Sequence, residues 1–173
     1  MSYSILEFKT LDSTNTFLKT YHTTFNHLTF VRARHQTHGR GQFERTWASN
    51  FDENILCSVL LKDINVEKVN LCKSWIEQGL MDFLREKGLQ VVFKAPNDLY
   101  VGERKICGIL TETQSETTQL TYVVIGFGLN VNQTQFEGLN ATSLSIEFNR
   151  TWNVDALFEA LIQHLLKTYG AIE

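Results

Sequence analysis

Gly39-Arg40-Gly41 sets a guanidinium between two glycines, with Arg45 four residues beyond Gly41 and Trp47 two further on. Glycine lets backbone approach a ligand closely, and arginine offers a rigid fork of donors suited to carboxylate or phosphate. The stretch therefore has the makeup of an anion-binding loop, and equally of a solvated turn. A second cation stands in KAPNDLYVGERKICGIL, from Lys94 to Leu110, where Lys105 precedes Gly108 by three positions. Pro96 fixes a turn there, and Asn97 and Asp98 can bond local backbone or a ligand. Read alone, this segment is either part of a site or a hairpin with a decorated turn. A third polar segment, Asp12-Ser13-Thr14-Asn15, also falls at a strand end.

Several familiar chemistries are excluded. There is no GxxxxGKS/T phosphate loop, no GxSxG and no HExxH. The five histidines do not fall at metal-ligand spacing, and His35 and His38 read as solvated. Cys57, Cys72 and Cys107 are odd in number and lack CxxC spacing, so they read as free, buried thiols and not as a zinc or disulfide framework. No metal site built from protein ligands is expected.

The elements that must position these residues follow from periodicity. LDSTNTFLKTYH reads as a strand end entering a short helix, with Asp12 or Ser13 available as its cap. LTFVRARHQ alternates as a half-buried strand does, and NILCSVLLK reads as a more fully buried one. Val66 to Lys87 carries apolar residues at three- and four-residue steps and predicts the main helix, ended by Gly88. LQVVFK is a short strand. DLYVGERKICGILTET predicts a hairpin around Gly102-Glu103-Arg104, and QLTYVVIGFGLNVN a further strand with a glycine-rich exit. Asp155 to Tyr169, with Leu157, Leu161 and Leu165, predicts a second amphipathic helix. The pattern implies an α+β fold: a mixed, largely antiparallel sheet with helices packed on one face.

The length of 173 residues suits one domain with a substantial core. Hydrophobic residues at 43% and charged residues at 20% are those of an ordinary globular chain. The net charge of −3 and the lack of a dense Lys/Arg run argue against nucleic acid as a partner. The start, MSYSILEFKT, carries no leader, and no 18-residue apolar run occurs, so a soluble, cytoplasmic protein without membrane contact is expected.

Taken together the polar segments resemble the catalytic domain of biotin–protein ligases, within the biotin/lipoate ligase superfamily. The resemblance runs in order from about Leu11 to Asn132. It consists of Ser13-Thr14-Asn15, Gln36 with Gly39-Arg40-Gly41 to Trp47, Lys94 to Leu110, and Ile125-Gly126-Phe127-Gly128-Leu129-Asn130. It implies a fold like that of class II synthetases and a two-step reaction. Biotin is activated by ATP, with magnesium, to biotinyl-5'-AMP, and the biotinyl group then passes to a lysine of a biotin carboxyl carrier domain. By the same resemblance, Lys105 and Arg40 are the catalytic cations. Ser13, Thr14, Asn15, Gln36, Gly39, Gly108, Leu110 and Gly126 would join Arg40 around biotin. Arg40, Gly41, Gln42, Arg45, Trp47, Asn97, Asp98, Lys105 and Asn130 would meet the nucleotide. Gly108, Gly126 and Gly128 would admit the ligand to the sheet backbone.

Two positions depart from the pattern. Gln42 stands where the family usually has a basic residue, which weakens the expected grip on the adenylate. Ala95 replaces the tryptophan of the proline-Asn-Asp segment, a change expected to reshape the pocket floor. The short leader before Ser13 and the short tail after the second helix imply a single monofunctional domain spanning 1–173. Neither a DNA-binding domain before it nor a small β-barrel after it is expected, and the chain is expected to be a monomer or weak homodimer. Two alternatives stand beside this reading: a lipoate/octanoate–protein ligase, and a catalytically weakened biotin-binding module.

Overall fold

The computed structural model describes residues 2–43, 45–116 and 119–170, apart from the side chains of 116 and 119. Seven strands form one sheet: β1 (Ser4–Leu11), β2 (Thr29–Gln36), β3 (Asn54–Leu61), β4 (Val92–Lys94), β5 (Asp98–Val101), β6 (Arg104–Glu116) and β7 (Gln119–Asn130). Their order is β1-β2-β3-β7-β6-β5-β4. Only β1 and β2 pair in parallel; every other neighbour is antiparallel. A parallel pair requires a crossover, and α1 (Thr14–Thr20) lies within it. Of the two caps offered by the sequence, Ser13 is the one used, its side chain accepting from the Thr16 N–H.

The two long helices, α2 (Val69–Glu86) and α4 (Val154–Tyr169), pack on one face of the sheet, as expected. Cys72, Ile76, Leu80 and Leu84 of α2 and Leu157, Leu161 and Leu165 of α4 meet Ile55, Cys57, Val59, Ile125 and Leu129 in one buried core. At Gly79 the two helices approach so closely that a Cβ would lie 2.5 Å from Leu165 Cδ2. That proximity explains a residue which costs a helix interior about 1 kcal/mol.

Short α1 takes the opposite face, where Leu18 covers Val31, Leu60, Tyr122 and Val124. It reaches β2, β3 and β7, and β6 and β5 continue the same face beyond it. That stretch of sheet carries the candidate site.

Three local expectations change. β2 is not half-buried: its first five residues are all buried, because α1 covers the second face. Arg32 is buried on the other face, under α4, where it pairs with Asp155 at 2.7 Å and lies over the Phe158 ring, with Glu7 of β1 at 3.2 Å. The main helix begins with a 3-10 turn at Val66–Lys68 before α2 proper, and Gly88 ends it at φ 93°. LQVVFK gives only the three-residue β4. A helix that the periodicity did not predict, α3 (Leu144–Phe148), is capped by Ser143 and closed by Asn149 in the left-handed region.

Candidate functional site

Strand register assembles the site. On the face shared with α1, one row runs Leu56, Gly128, Gly108, Asp98, Lys94 across β3, β7, β6, β5 and β4. The next rows are Ser58, Gly126, Leu110 and then Leu60, Val124, Glu112. Glycines thus hollow out the middle of an otherwise continuous surface.

Side chains fill part of that hollow. The Trp47 indole lies on Gly108 and Gly128, where Cβ atoms would sit 2.8 and 2.6 Å from its ring. Asn15 Oδ1 would be 2.1 Å from a Cβ at Gly126. The sequence reading gave these glycines to the ligand; in this structure they make room for Trp47 and Asn15.

Lys105 reaches the same face through an irregularity. Leu99 pairs with Cys107 and Tyr100 with Lys105, leaving Ile106 as an extra residue in β6. Ile106 and Cys107 consequently both enter the helix-side core. Lys105 turns the other way, its Nζ 2.8 Å from Asp98 Oδ1 and 5.4 Å from the Trp47 ring centre. Segment 140–142 flanks it: Lys105 N–H donates to Asn140 O, and Thr142 N–H donates to Lys105 O.

The Gly39 loop is a small hairpin. Trp47 N–H donates to Gly39 O, Gly41 N–H to Arg45 O, and Arg45 N–H to Gln42 O. A Cβ at Gly39 would lie 2.3 Å from Trp47 O, so this closure requires glycine. Phe43 occupies the tip at φ 53° and is 85% exposed. Arg40 leaves the hairpin toward β6, where its Nη1 meets Glu112 at 3.0 Å.

At the α1 end, Thr14 N–H donates to Gln36 Oε1, Thr14 Oγ1 lies 2.7 Å from Ser58 Oγ, and Ser58 donates to Asn15 Oδ1. Asn15 Nδ2 in turn donates to Leu110 O and Glu112 Oε2. Asn15 therefore spends its amide inside the protein. Among the described residues, Gln36 Nε2 and the Ser13 hydroxyl hydrogen are donors left at this end for a ligand. Trp47 Nε1 is a further buried donor, unpartnered among the described residues.

These parts enclose one pocket of about 720 Å³. Every residue singled out from the sequence lines it except Gly39, which belongs to a smaller cavity of about 480 Å³ behind the loop. Gln42 and Arg45 sit on the loop side, and Asn130, tied to Thr142 O through its Nδ2, on the far wall. Asn97 is held by β6, its Nδ2 donating to Ile109 O. Ala95 does not form the pocket floor: it is exposed, although Lys94 and Pro96 beside it line the cavity.

Three residues escaped the sequence reading: Ser58, Glu112 and Lys19. Ser58 is the lone hydroxyl in the apolar run of β3, and counting in twos from Gly108 leads through Leu110 to Glu112. Lys19 donates to Glu112 at 2.7 Å. Burial works to raise the Glu112 carboxyl, but hydrogen bonds from Lys19 and Asn15, with the charges of Lys19 and Arg40, hold it below its ordinary range. Burial pushes the Cys57 and Cys107 thiols far up, so neither supplies a thiolate. Among the described residues no cluster of three or more metal-ligating groups occurs, and no helix is long and apolar enough to cross a membrane.

Residues 7–130 match the biotin/lipoate A/B protein ligase family. The chain belongs to that family. The bifunctional ligase/repressor BirA of Bacillus subtilis is 36% identical over 107 residues, 61% of this chain and 33% of that protein. The biotin–[acetyl-CoA-carboxylase] ligase of Mycobacterium tuberculosis is 30% identical over 123 residues, 65% of this chain and 43% of its own length. The chain thus spans less than half of these curated relatives. Among solved structures, the biotin protein ligase of Aquifex aeolicus in complex with biotin and ATP superposes with a TM-score of 0.76 at 25% identity, covering 95% of this chain and 69% of that one. The α+β architecture, with its mostly antiparallel sheet, is that of the biotin protein ligases.

Proposed function

We propose that this chain is the catalytic module of a biotin–protein ligase that activates biotin with ATP and modifies a lysine of a carboxylase carrier domain. The carrying observation is the convergence of Arg40 and Lys105 on one pocket whose α1 end offers Gln36 Nε2 and the Ser13 hydroxyl as donors. That end suits the carbonyl oxygen of a ureido ring, since a buried ligand amide left unpaired costs about 1–3 kcal/mol. Relatives support the reading: the Aquifex aeolicus protein holds biotin and ATP.

In the first step a biotin carboxylate oxygen attacks the α-phosphorus of ATP, and pyrophosphate leaves. Two anions must meet, and Arg40 and Lys105 offset their repulsion. Magnesium accompanying ATP would offset phosphate charge and ask for few protein ligands; Asp98 is the pocket carboxylate nearest Lys105. In the second step the neutral acceptor amine attacks the acyl carbon, AMP departs, and the amine gives up its proton. Trp47, Asn130 and the loop residues Gly41, Gln42 and Arg45 would border the nucleotide. We take the module to act alone, as a monomer or weak homodimer.

Incubating the chain with biotin, ATP and a carrier domain, then weighing the carrier, tests this. Gain of one biotinyl group on the acceptor lysine is expected; no label on a folded carrier rejects it. The matched family also embraces lipoate ligases, so lipoate and octanoate belong in the same assay. Preferential octanoyl transfer would move the chain to that branch. Tight biotin binding without transfer would make it a weakened binding module.

A further inference from the structure

Glu112 touches three donors from two other parts of the fold yet does not line the pocket. Lys19 Nζ lies 2.7 Å and Asn15 Nδ2 2.9 Å away, both from α1, and Arg40 Nη1 at 3.0 and 3.3 Å comes from the loop hairpin. The carboxylate is only 17% exposed, whereas Arg40 is 45% exposed. Its single negative charge separates two cations that would otherwise repel across the same gap. Among the described residues only one Arg40 nitrogen is used, so Nε and Nη2 remain for a second anion.

We propose that Glu112 is a positioning residue: it latches the Gly39–Trp47 hairpin onto α1 and β6 and holds the Arg40 guanidinium over the pocket before any ligand arrives. A ligand carboxylate or phosphate then meets a fork already in place. It adds to the Glu112 contact without having to displace it, because the two anions use different nitrogens. Asn15 contributes by the same route, holding the Glu112 carboxylate with its amide and thereby linking the floor at Gly126 to the loop. The effect on biotin rests on the ligase reading; the latch itself does not.

The test uses Glu112→Gln, which keeps shape and removes charge, and Arg40→Gln. Amide hydrogen exchange across residues 38–47 should quicken about fivefold in Glu112→Gln while exchange in the α2 and α4 core stays near the parent's. The biotin Kd should weaken about fivefold, and turnover at saturating biotin should change less than twofold, a split that general destabilisation would not give. In a double-mutant cycle the two substitutions should be non-additive, the double variant binding biotin no worse than Arg40→Gln alone. Glu112→Asp, which withdraws the charge by one methylene, should also quicken loop exchange, and it serves if Glu112→Gln does not fold. Parental loop exchange in either folded variant, or full additivity, overturns the latch. A parent protein that binds no biotin would sink the ligase reading, and loop exchange would still judge the latch.

Discussion

The two faces of β7 are built from alternate residues of one strand and could hardly differ more. Toward α2 and α4 it presents Val123, Ile125, Phe127 and Leu129, all buried in the main core. Toward the pocket it presents Gly126, Gly128 and Asn130. One face gains stability from volume, the other gains a site from its removal. A period of two lets a single run of twelve residues do both, so substitutions one position apart should have unlike consequences.

The largest effect is expected on the core face. Ile125→Ala, at a position with no solvent exposure, should cost about 4 kcal/mol of stability by loss of burial and the cavity left behind. Urea unfolding checks this, and a change below about 1 kcal/mol would break the contrast. On the pocket face, Lys105→Ala should leave the unfolding midpoint nearly unchanged while slowing pyrophosphate release by at least about a hundredfold, roughly 3 kcal/mol of transition-state stabilisation. Near-parental turnover would remove Lys105 from the chemistry.

Gly128→Ala should fall between the faces. Its Cβ would lie 2.6 Å from the Trp47 ring, so the indole must shift, at a cost of about 1–3 kcal/mol. A raised KM for ATP with altered tryptophan fluorescence is the expected signature; unchanged values for both would show that Trp47 moves freely. The smallest effect concerns the loop. Gln42→Arg should tighten retention of the adenylate by about 1–2 kcal/mol and slow its release about tenfold, since a charged donor to phosphate outdoes a neutral one. Stopped-flow dissociation decides it, and equal rates would make Gln42 an ordinary loop residue.

What was legible in the sequence divides along the same line. The core helices show themselves because Leu157, Leu161 and Leu165 repeat at the helical period, and burial of a stripe depends only on that period. The pocket residues were legible as segments, since Gly39-Arg40-Gly41 and Lys94 to Leu110 keep their own chain order. Illegible were the contacts that tertiary pairing creates. Nothing in Glu112 or Lys19 announces that α1 crosses to the pocket face and brings them within 2.7 Å. The burial of Arg32 was hidden for the same reason: nothing in LTFVRARHQ announces that α4 lays Asp155 and Phe158 against it. Ala95 misled in the opposite sense, since membership of a motif says which segment borders a site but not which side chains turn outward.

The extra residue at Ile106 has a consequence best put as a matter of phase. Along β6 the chain is read in twos from Glu112 down to Gly108, and past Ile106 it is read in twos again, one step out of frame. Without that shift Lys105 would share its side of the sheet with Cys107 and Ile109, and an ammonium would stand among leucines. Deleting Ile106 would therefore keep Lys105 opposite Tyr100 on the pocket side and cost the core one isoleucine, whereas pairing Ile106 in a regular ladder would trade a cation into oil from there to the turn. The strand carries its punctuation in a single residue.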